Sequence, residues 1–289
     1  VEPLQLGAFL MLLRVKEETG AELAGFVDAC RVEMTAPPTG LRADLDWSSY
    51  AGKKHQHPWY LLSLLLLTQA GYRVLVHGSA GHTQGRLYTE QAMRELALPV
   101  AADWQEVQSQ LDGAGLSYLP LRGFCQPLHE LLQLKPLLGL RSPVNTLTRM
   151  LNPLVARCSL QSIFHPAYAA LHQEADRLLG QRAAMVLKGE SGEIEIKPSA
   201  DTRLQWLRDG HSSTLTLCRV LSQRPEPVAH PAVDPLRELW RGEGDDDYGL
   251  AAVLGTAAAA LLLLGAAGSM EATTGVAGEL WRSRDRDRL

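Results

Sequence analysis

Residues 50–78 read YAGKKHQHPWYLLSLLLLTQAGYRVLVHG, and this stretch decides the fold. From Trp59 to Ala70 the chain is almost wholly apolar and long enough for a buried helix, which Gly71 stops. YRVLVHG is then a β-branched strand that ends in glycine. The pattern of strand and helix recurs. LSYLPL (116–121) reads as a strand, QPLHELLQLKPLLGL (126–140) as a helix and SLQSIF (159–164) as a strand. PAYAALHQEADRLLG (166–180) reads as a helix and AAMVLKGE (183–190) as a strand. Strands alternating with helices imply right-handed crossovers and a mostly parallel sheet. GEIEIKP (192–198) and STLTLC (213–218) alternate and extend it by two strands.

Both chain ends are helical. Leu4 to Arg31 carries apolar residues at helical spacing, with Gly20 between two amphipathic helices, and TAPPTG (35–40) is a linker. The expected architecture is α/β, with a small all-helical domain at 1–36 and a larger α/β domain at 37–289 whose central sheet is mostly parallel. Some of the last helices are expected to pack on the helical domain. Residues 250–268 run 19 positions without a charge, the length of a membrane span. The run is dominated by Ala and Gly and lacks anchors at both ends, so a buried helix and no membrane contact are expected. SQRPEPVAHPAVDP (222–235) is a loop or hinge, and the cleft between the domains is the default site.

The charge balance, 28 Lys and Arg against 32 Asp and Glu, argues against a surface that attracts nucleic acid everywhere. An anion site must be a local patch. Four scattered cysteines without C-x-x-C spacing read as free thiols of a reducing, cytoplasmic compartment, and no signal peptide is legible.

The basic patch with the greatest density is Lys53, Lys54, His55 and His57, placed just before a helix N-terminus, with Trp59 and Tyr60 as faces for base stacking. A solvated loop leading into core aromatics explains the same residues. VHGSAGHTQGR (76–86) offers a backbone nest with His77, Gly78, His82 and Arg86, or a plain turn. Arg141, Asn145 and Arg149 fall at steps of four and share a face if helical. Glu190, Glu193 and Glu195 group near a turn, suited to Mg²⁺ or to an exposed strand.

Taken together, the segments resemble the anthranilate phosphoribosyltransferase family, of the glycosyltransferase family 3 and class II nucleoside phosphorylase fold. LGAFLMLLRVKEETGAELAGF (6–26) resembles the family's ALRxKGETxxE helices, and VLVHGSAG (74–81) its AKHGNR strand and turn. LGLRSPVNTLTRMLNPL (138–154) resembles LGxRTxFNxxGPLxNP, and MVLKGESGEIEI (185–196) resembles VVHGxDGLDEI. The resemblance implies that one further helix precedes Val1. Where the family's pyrophosphate loop GTGGD belongs, the chain has SYAGKKHQHPW (49–59). The metal-binding Asp-Glu pair falls on Ile194 and Glu195, leaving Glu195 as the one candidate Mg²⁺ ligand, and the acceptor-site arginine falls at or near Lys135. These departures make ordinary phosphoribosyl transfer, which needs Mg²⁺ and backbone amides on the leaving group, an unlikely activity, with no cofactor expected. KHQHPWYLLS, RSPVNTL and SIFHPAY resemble a divergent YbiB-like branch. That resemblance implies a homodimer, expected through the helical domain, and binding of DNA or RNA, single-stranded and with little sequence preference; a third reading is a scaffold kept for partner contacts through the helical domain, with Leu10, Leu13 and Phe26 as a dimer face. Lys53, Lys54, His55, His57, Arg86, Arg141 and Arg149 are then the phosphate-facing set, and a pentosyltransferase with an altered acceptor is the alternative.

Overall fold

The computed structural model describes residues 1–81 and 83–289. Helices α1 (Pro3–Lys16) and α2 (Gly20–Val32) open the chain. Gly20 does not separate them but begins α2, because Thr19 is its N-cap. The Thr19 hydroxyl accepts from the Glu22 amide at 3.2 Å, and Glu22 accepts from the Thr19 amide at 3.0 Å, a reciprocal capping box.

The α/β part follows as β1 (Leu45–Ser49), α3 (Tyr60–Gln69), β2 (Val74–Gly78), α4 (Thr89–Glu95), α5 (Trp104–Ala114) and β3 (Leu116–Pro120). It continues with α6 (Gln126–Leu132), α7 (Lys135–Leu138), α8 (Val144–Leu147), β4 (Cys158–Ser162), α9 (Tyr168–Leu178) and β5 (Ala183–Leu187). It ends with β6 (Thr202–Arg208), β7 (His211–Leu217), α10 (Asp234–Arg241), α11 (Asp247–Leu264) and α12 (Met270–Arg282). The sheet order is β3-β2-β1-β4-β5-β6-β7; the first five strands run parallel, and β6 and β7 join antiparallel. The mixed α/β fold with a mostly parallel sheet is the one the sequence implies.

One sheet face packs Trp47, Val76, Leu160 and Met185 against α3 and α11. Both helices are apolar on every side because both lie inside. Leu61, Leu62 and Leu64 to Leu67 are fully buried in α3, each contributing about 2 kcal/mol of transfer free energy. α11 is long and apolar enough to cross a membrane, yet it is a core helix: Ala257 to Leu261 are fully buried against α3, β4 and β5. The two helices approach so closely at Gly249 that a Cβ there would lie 2.7 Å from the Trp59 ring. The C-terminal helices thus belong to this core, whereas the side chains of α1 and α2 join the cores of the opposite face.

Two expectations about strands are corrected. β1, the middle one of the five parallel strands, is absent from the sequence reading, and residues 192–198 are not a strand. Glu193 and Glu195 turn inward to hydrogen-bond donors instead, and β6 begins only at Thr202. The 126–140 helix is split into α6 and α7.

Candidate functional site

In a parallel sheet, ligands bind beyond the carboxyl ends of the strands, where the strand order reverses. Here the chain leaves β1 first toward β2 and β3, then crosses to β4 and β5, so the reversal lies between β1 and β4. The loops after these two strands meet there, and α1 and α2 close the space from the side. The resulting cleft of about 640 Å³, including its open mouth, is lined by Arg14 and Glu18 from the helical part and by Arg141, Asn145 and Arg149. Phe164, His165, Tyr168 and His172 complete the wall beyond β4.

The loop after β1 is tied down by an internal anion. Glu193 Oε1 accepts the backbone N–H groups of Ala51 at 2.7 Å and Gly52 at 2.6 Å, and its Oε2 accepts from the Ser49 hydroxyl at 2.6 Å. The carboxylate therefore occupies the amides that a phosphate oxygen would use. Gly52 has φ +69°, a conformation glycine adopts without strain, which turns both amides inward. The next residue, Lys53, is fully buried and ion-paired with Glu195, whose other oxygen accepts the Tyr60 amide at 3.0 Å. Burial raises the Glu195 carboxyl, and the Lys53 ammonium opposes that rise.

These contacts remove Lys53 and His57 from the expected phosphate-facing set. Lys53 is consumed by Glu195, a partner 142 positions away. His57 is half-buried, its Nδ1 accepts the Ala232 amide at 3.0 Å, and burial pulls its pKa down, which disfavours a cationic ring. Trp59 and Tyr60 are fully buried and offer no stacking face. Lys54 and His55 are exposed. His77 is buried between the Tyr50 hydroxyl, 2.7 Å from Nδ1, and Asp46, 3.2 Å from Nε2. Gly78 pairs with Ser49 in the β1–β2 register, and a Cβ there would overlap the Ser49 carbonyl, so this glycine serves strand pairing. His82 lies outside the described residues.

Of the remaining candidates, Arg141, Asn145 and Arg149 line the cleft, whereas Arg86 and Lys135 lie outside its lining. Arg141 is partly buried, lies over the Phe164 ring at 5.9 Å and has no acidic partner among the described residues. Burial, and then the Arg86 charge, lower its pKa. Arg86 donates to the carbonyls of Ala51, Gly52 and Ser191, all neutral, and so brings a net positive charge to the loop. Lys135 donates to the Thr83 hydroxyl at 2.7 Å, and burial followed by the charges of Arg141 and Arg86 lowers its pKa. Arg149 is buried; it donates to the Asn145 carbonyl at 2.6 Å and lines the cleft floor. Asn145 and Arg149 share the wall although the regular helix covers only Val144–Leu147.

The sequence reading assigned no role to Arg14, Glu18, Phe164, His165 or His172. Arg14 donates to the Tyr168 hydroxyl at 3.0 Å, across the seam between α1 and α9. His172 Nδ1 pairs with Gln161 Oε1 at 2.7 Å, and burial lowers its pKa to about 3, which keeps the ring neutral. Gln161 also donates to Asp176 at 2.9 Å, and burial raises that carboxyl to about 7. Only tertiary packing brings these groups together.

The residues present do not fit the Mg²⁺ that the family resemblance implies. Ile194 takes one carboxylate's place, Glu195 holds Lys53, Glu193 holds the loop amides and Glu190 faces Lys197 at 3.2 Å. Among the described residues no group of three His, Cys, Asp or Glu side chains is placed to hold a metal.

Comparison with known proteins agrees with this architecture. Residues 1–33 match the glycosyl transferase family helical bundle domain. The uncharacterized protein YbiB of Escherichia coli is 29% identical over 203 residues, 68% of this chain and 62% of its own length. Anthranilate phosphoribosyltransferase of Desulfosudis oleivorans is 27% identical over 211 residues, 73% of this chain and 62% of the relative. These matches span about three fifths of the length of either relative. Among solved structures, anthranilate phosphoribosyltransferase of Thermus thermophilus superposes with a TM-score of 0.80 at 21% identity, covering 98% of this chain and 86% of that one. The Saccharomyces cerevisiae enzyme in complex with PRPP and Mg gives 0.77 at 15% identity, covering 96% and 80%. Residues 1–33 thus match the glycosyl transferase family helical bundle domain, on a chain that has the fold of the solved anthranilate phosphoribosyltransferases and is similar in sequence to those enzymes and to YbiB.

Proposed function

We propose that the protein binds nucleic acid rather than transferring a phosphoribosyl group, and that a single strand lies in the cleft between α1 and the sheet edge. The observation that carries this reading is Glu193 in the amide nest after β1, together with Lys53 on Glu195. The two devices a pyrophosphate leaving group needs, amide donors and metal carboxylates, are both engaged within the chain. What remains in the cleft is positive charge on Arg14 and Arg141, which have no acidic partner among the described residues, next to a half-exposed aromatic ring, Phe164, with Arg86 on the adjoining loop. Phosphate contacts combined with an aromatic stacking face are the components of binding to single strands with little sequence preference. A cytoplasmic setting and a homodimer belong to the same reading. The dimer face differs from the expected one: Leu10 and Leu13 are buried within the chain, whereas Leu4, Phe9, Leu12 and Val15 stand exposed along α1.

The test is a pair of titrations. A labelled single-stranded oligonucleotide is expected to bind, and phosphoribosyl pyrophosphate with Mg²⁺ is expected to give no calorimetric heat. Tight Mg²⁺-dependent heat without oligonucleotide binding would return the cleft to pentosyl transfer.

A further inference from the structure

Among the described residues, Glu18 is the one acid lining a cleft whose other charged residues are three arginines. It sits at the junction of α1 and α2, is 7% exposed, and its Oε1 is buried with no hydrogen-bond partner among the described residues. The glutamates near the sheet edge differ sharply. Glu193 holds two amides and a hydroxyl, Glu195 holds Lys53 and the Tyr60 amide, and Glu190 holds Ser191 and Lys197. Folded chains leave few buried acceptors unpaired, so each exception calls for an explanation. Phosphate binding does not supply one, because a carboxylate beside the arginines repels a phosphate. An acceptor so placed suits a ligand that brings anionic groups and, alongside them, N–H donors.

We infer that Glu18 accepts N–H groups from a nucleobase, and that it favours guanine at one position of the bound strand. The inference rests on the nucleic-acid reading above. In a single strand the Watson–Crick edges are free for side chains to read. Guanine alone presents two adjacent donors there, a ring N–H and an amino group, which match the two oxygens of a carboxylate. Adenine and cytosine set one amino group beside a ring acceptor, and thymine sets one N–H between two carbonyls, so each offers one donor and at least one repulsive contact. Phe164, half-exposed and lining the same cleft, supplies a face on which such a base stacks. Contacts elsewhere along the strand are to phosphate and carry no sequence information.

The experiment measures anisotropy of labelled oligothymidylate and of the same strand with one central guanine, adenine or inosine, against the protein and its Glu18→Gln variant. The guanine strand is expected to bind roughly tenfold more tightly than the adenine strand, the scale of a good bidentate base contact. Inosine, which lacks the amino group, is expected to fall between them. Glu18→Gln is expected to lose the discrimination while binding oligothymidylate at least as tightly, because a negative charge has left the cleft. Equal affinity for guanine and adenine strands, or discrimination that survives in Glu18→Gln, would overturn the inference while oligothymidylate binding still upholds the nucleic-acid reading. If no strand binds, both fall together.

Discussion

Glu193 Oε1 accepts the backbone N–H of Gly52 at 2.6 Å, so a carboxylate carried by the chain itself fills the donor nest beyond β1. Glu193→Ala leaves the Ala51 and Gly52 amides and the Ser49 hydroxyl without their acceptor. Charge-assisted bonds of this kind lead us to expect a loss of about 3 kcal/mol in urea denaturation. Inorganic phosphate should then raise the Tm of the variant more than that of the parent protein. An equal rise in both would mean that the nest is closed even without Glu193.

Lys53 and Glu195 form a fully buried ion pair. Lys53→Ala strands a carboxylate in the core and is expected to cost about 3–5 kcal/mol, whereas Lys53→Met combined with Glu195→Leu should recover most of that loss. Urea melts of the two variants measure both effects. Equal destabilisation in the single and double variants would contradict the pairing.

The pair also bears on what the sequence discloses. The recurrent helix and strand pattern from Trp59 to Leu187 was legible where an element is apolar over its length, as α3 and β5 are, or closes on a glycine, as the α9 segment does at Gly180; the polar α4 and α5 were not read. The middle parallel strand, LDWSS, was not: Asp46, Ser48 and Ser49 are buried polar residues that break the apolar run, and Asp46 finds His77 and Ser159 only in the folded sheet. GEIEIKP alternates like a strand, yet its glutamates answer donors about 140 positions away. Lys53 looks like its neighbour Lys54 in sequence, and only the position of Glu195 separates a core cation from a surface one. Arg141, Asn145 and Arg149 were legible as a cleft wall. Arg14 and Glu18 were not, because the place of α1 and α2 against α8 and α9 is set by packing rather than by any local pattern.

Asp176 and His172 share Gln161 and respond to pH in opposite directions. The Asp176 carboxyl, raised by burial to about 7 from an ordinary value of 3.8, favours the folded state when protonated. Its contribution is complete below about pH 4 and is lost as pH rises through about 7. His172, lowered by burial to about 3 from 6.5, is neutral in the fold, so its contribution grows as pH rises from about 3 to about 6.5. Asp176→Asn should remove the falling limb of stability against pH, and His172→Gln the rising limb. Chemical denaturation from pH 4 to 8 reads both. Parallel pH profiles for the parent and Asp176→Asn would exclude Asp176 as the source.

Gly78→Ala places a Cβ against the Ser49 carbonyl at the edge where β1 pairs with β2. Overpacking of this kind is expected to destabilise by about 1–3 kcal/mol. A loss of nucleic-acid affinity with no change in denaturation midpoint would instead make Gly78 part of the binding surface.

The most direct test of the central claim is the salt dependence of single-strand binding in the parent protein and in an Arg14→Ala, Arg141→Ala variant. Log affinity is predicted to fall linearly with log salt, and the two substitutions are predicted to reduce the slope by about 1.4, the release expected for two phosphate contacts on a single strand. An unchanged slope in the variant would place the strand elsewhere and contradict the cleft as its site.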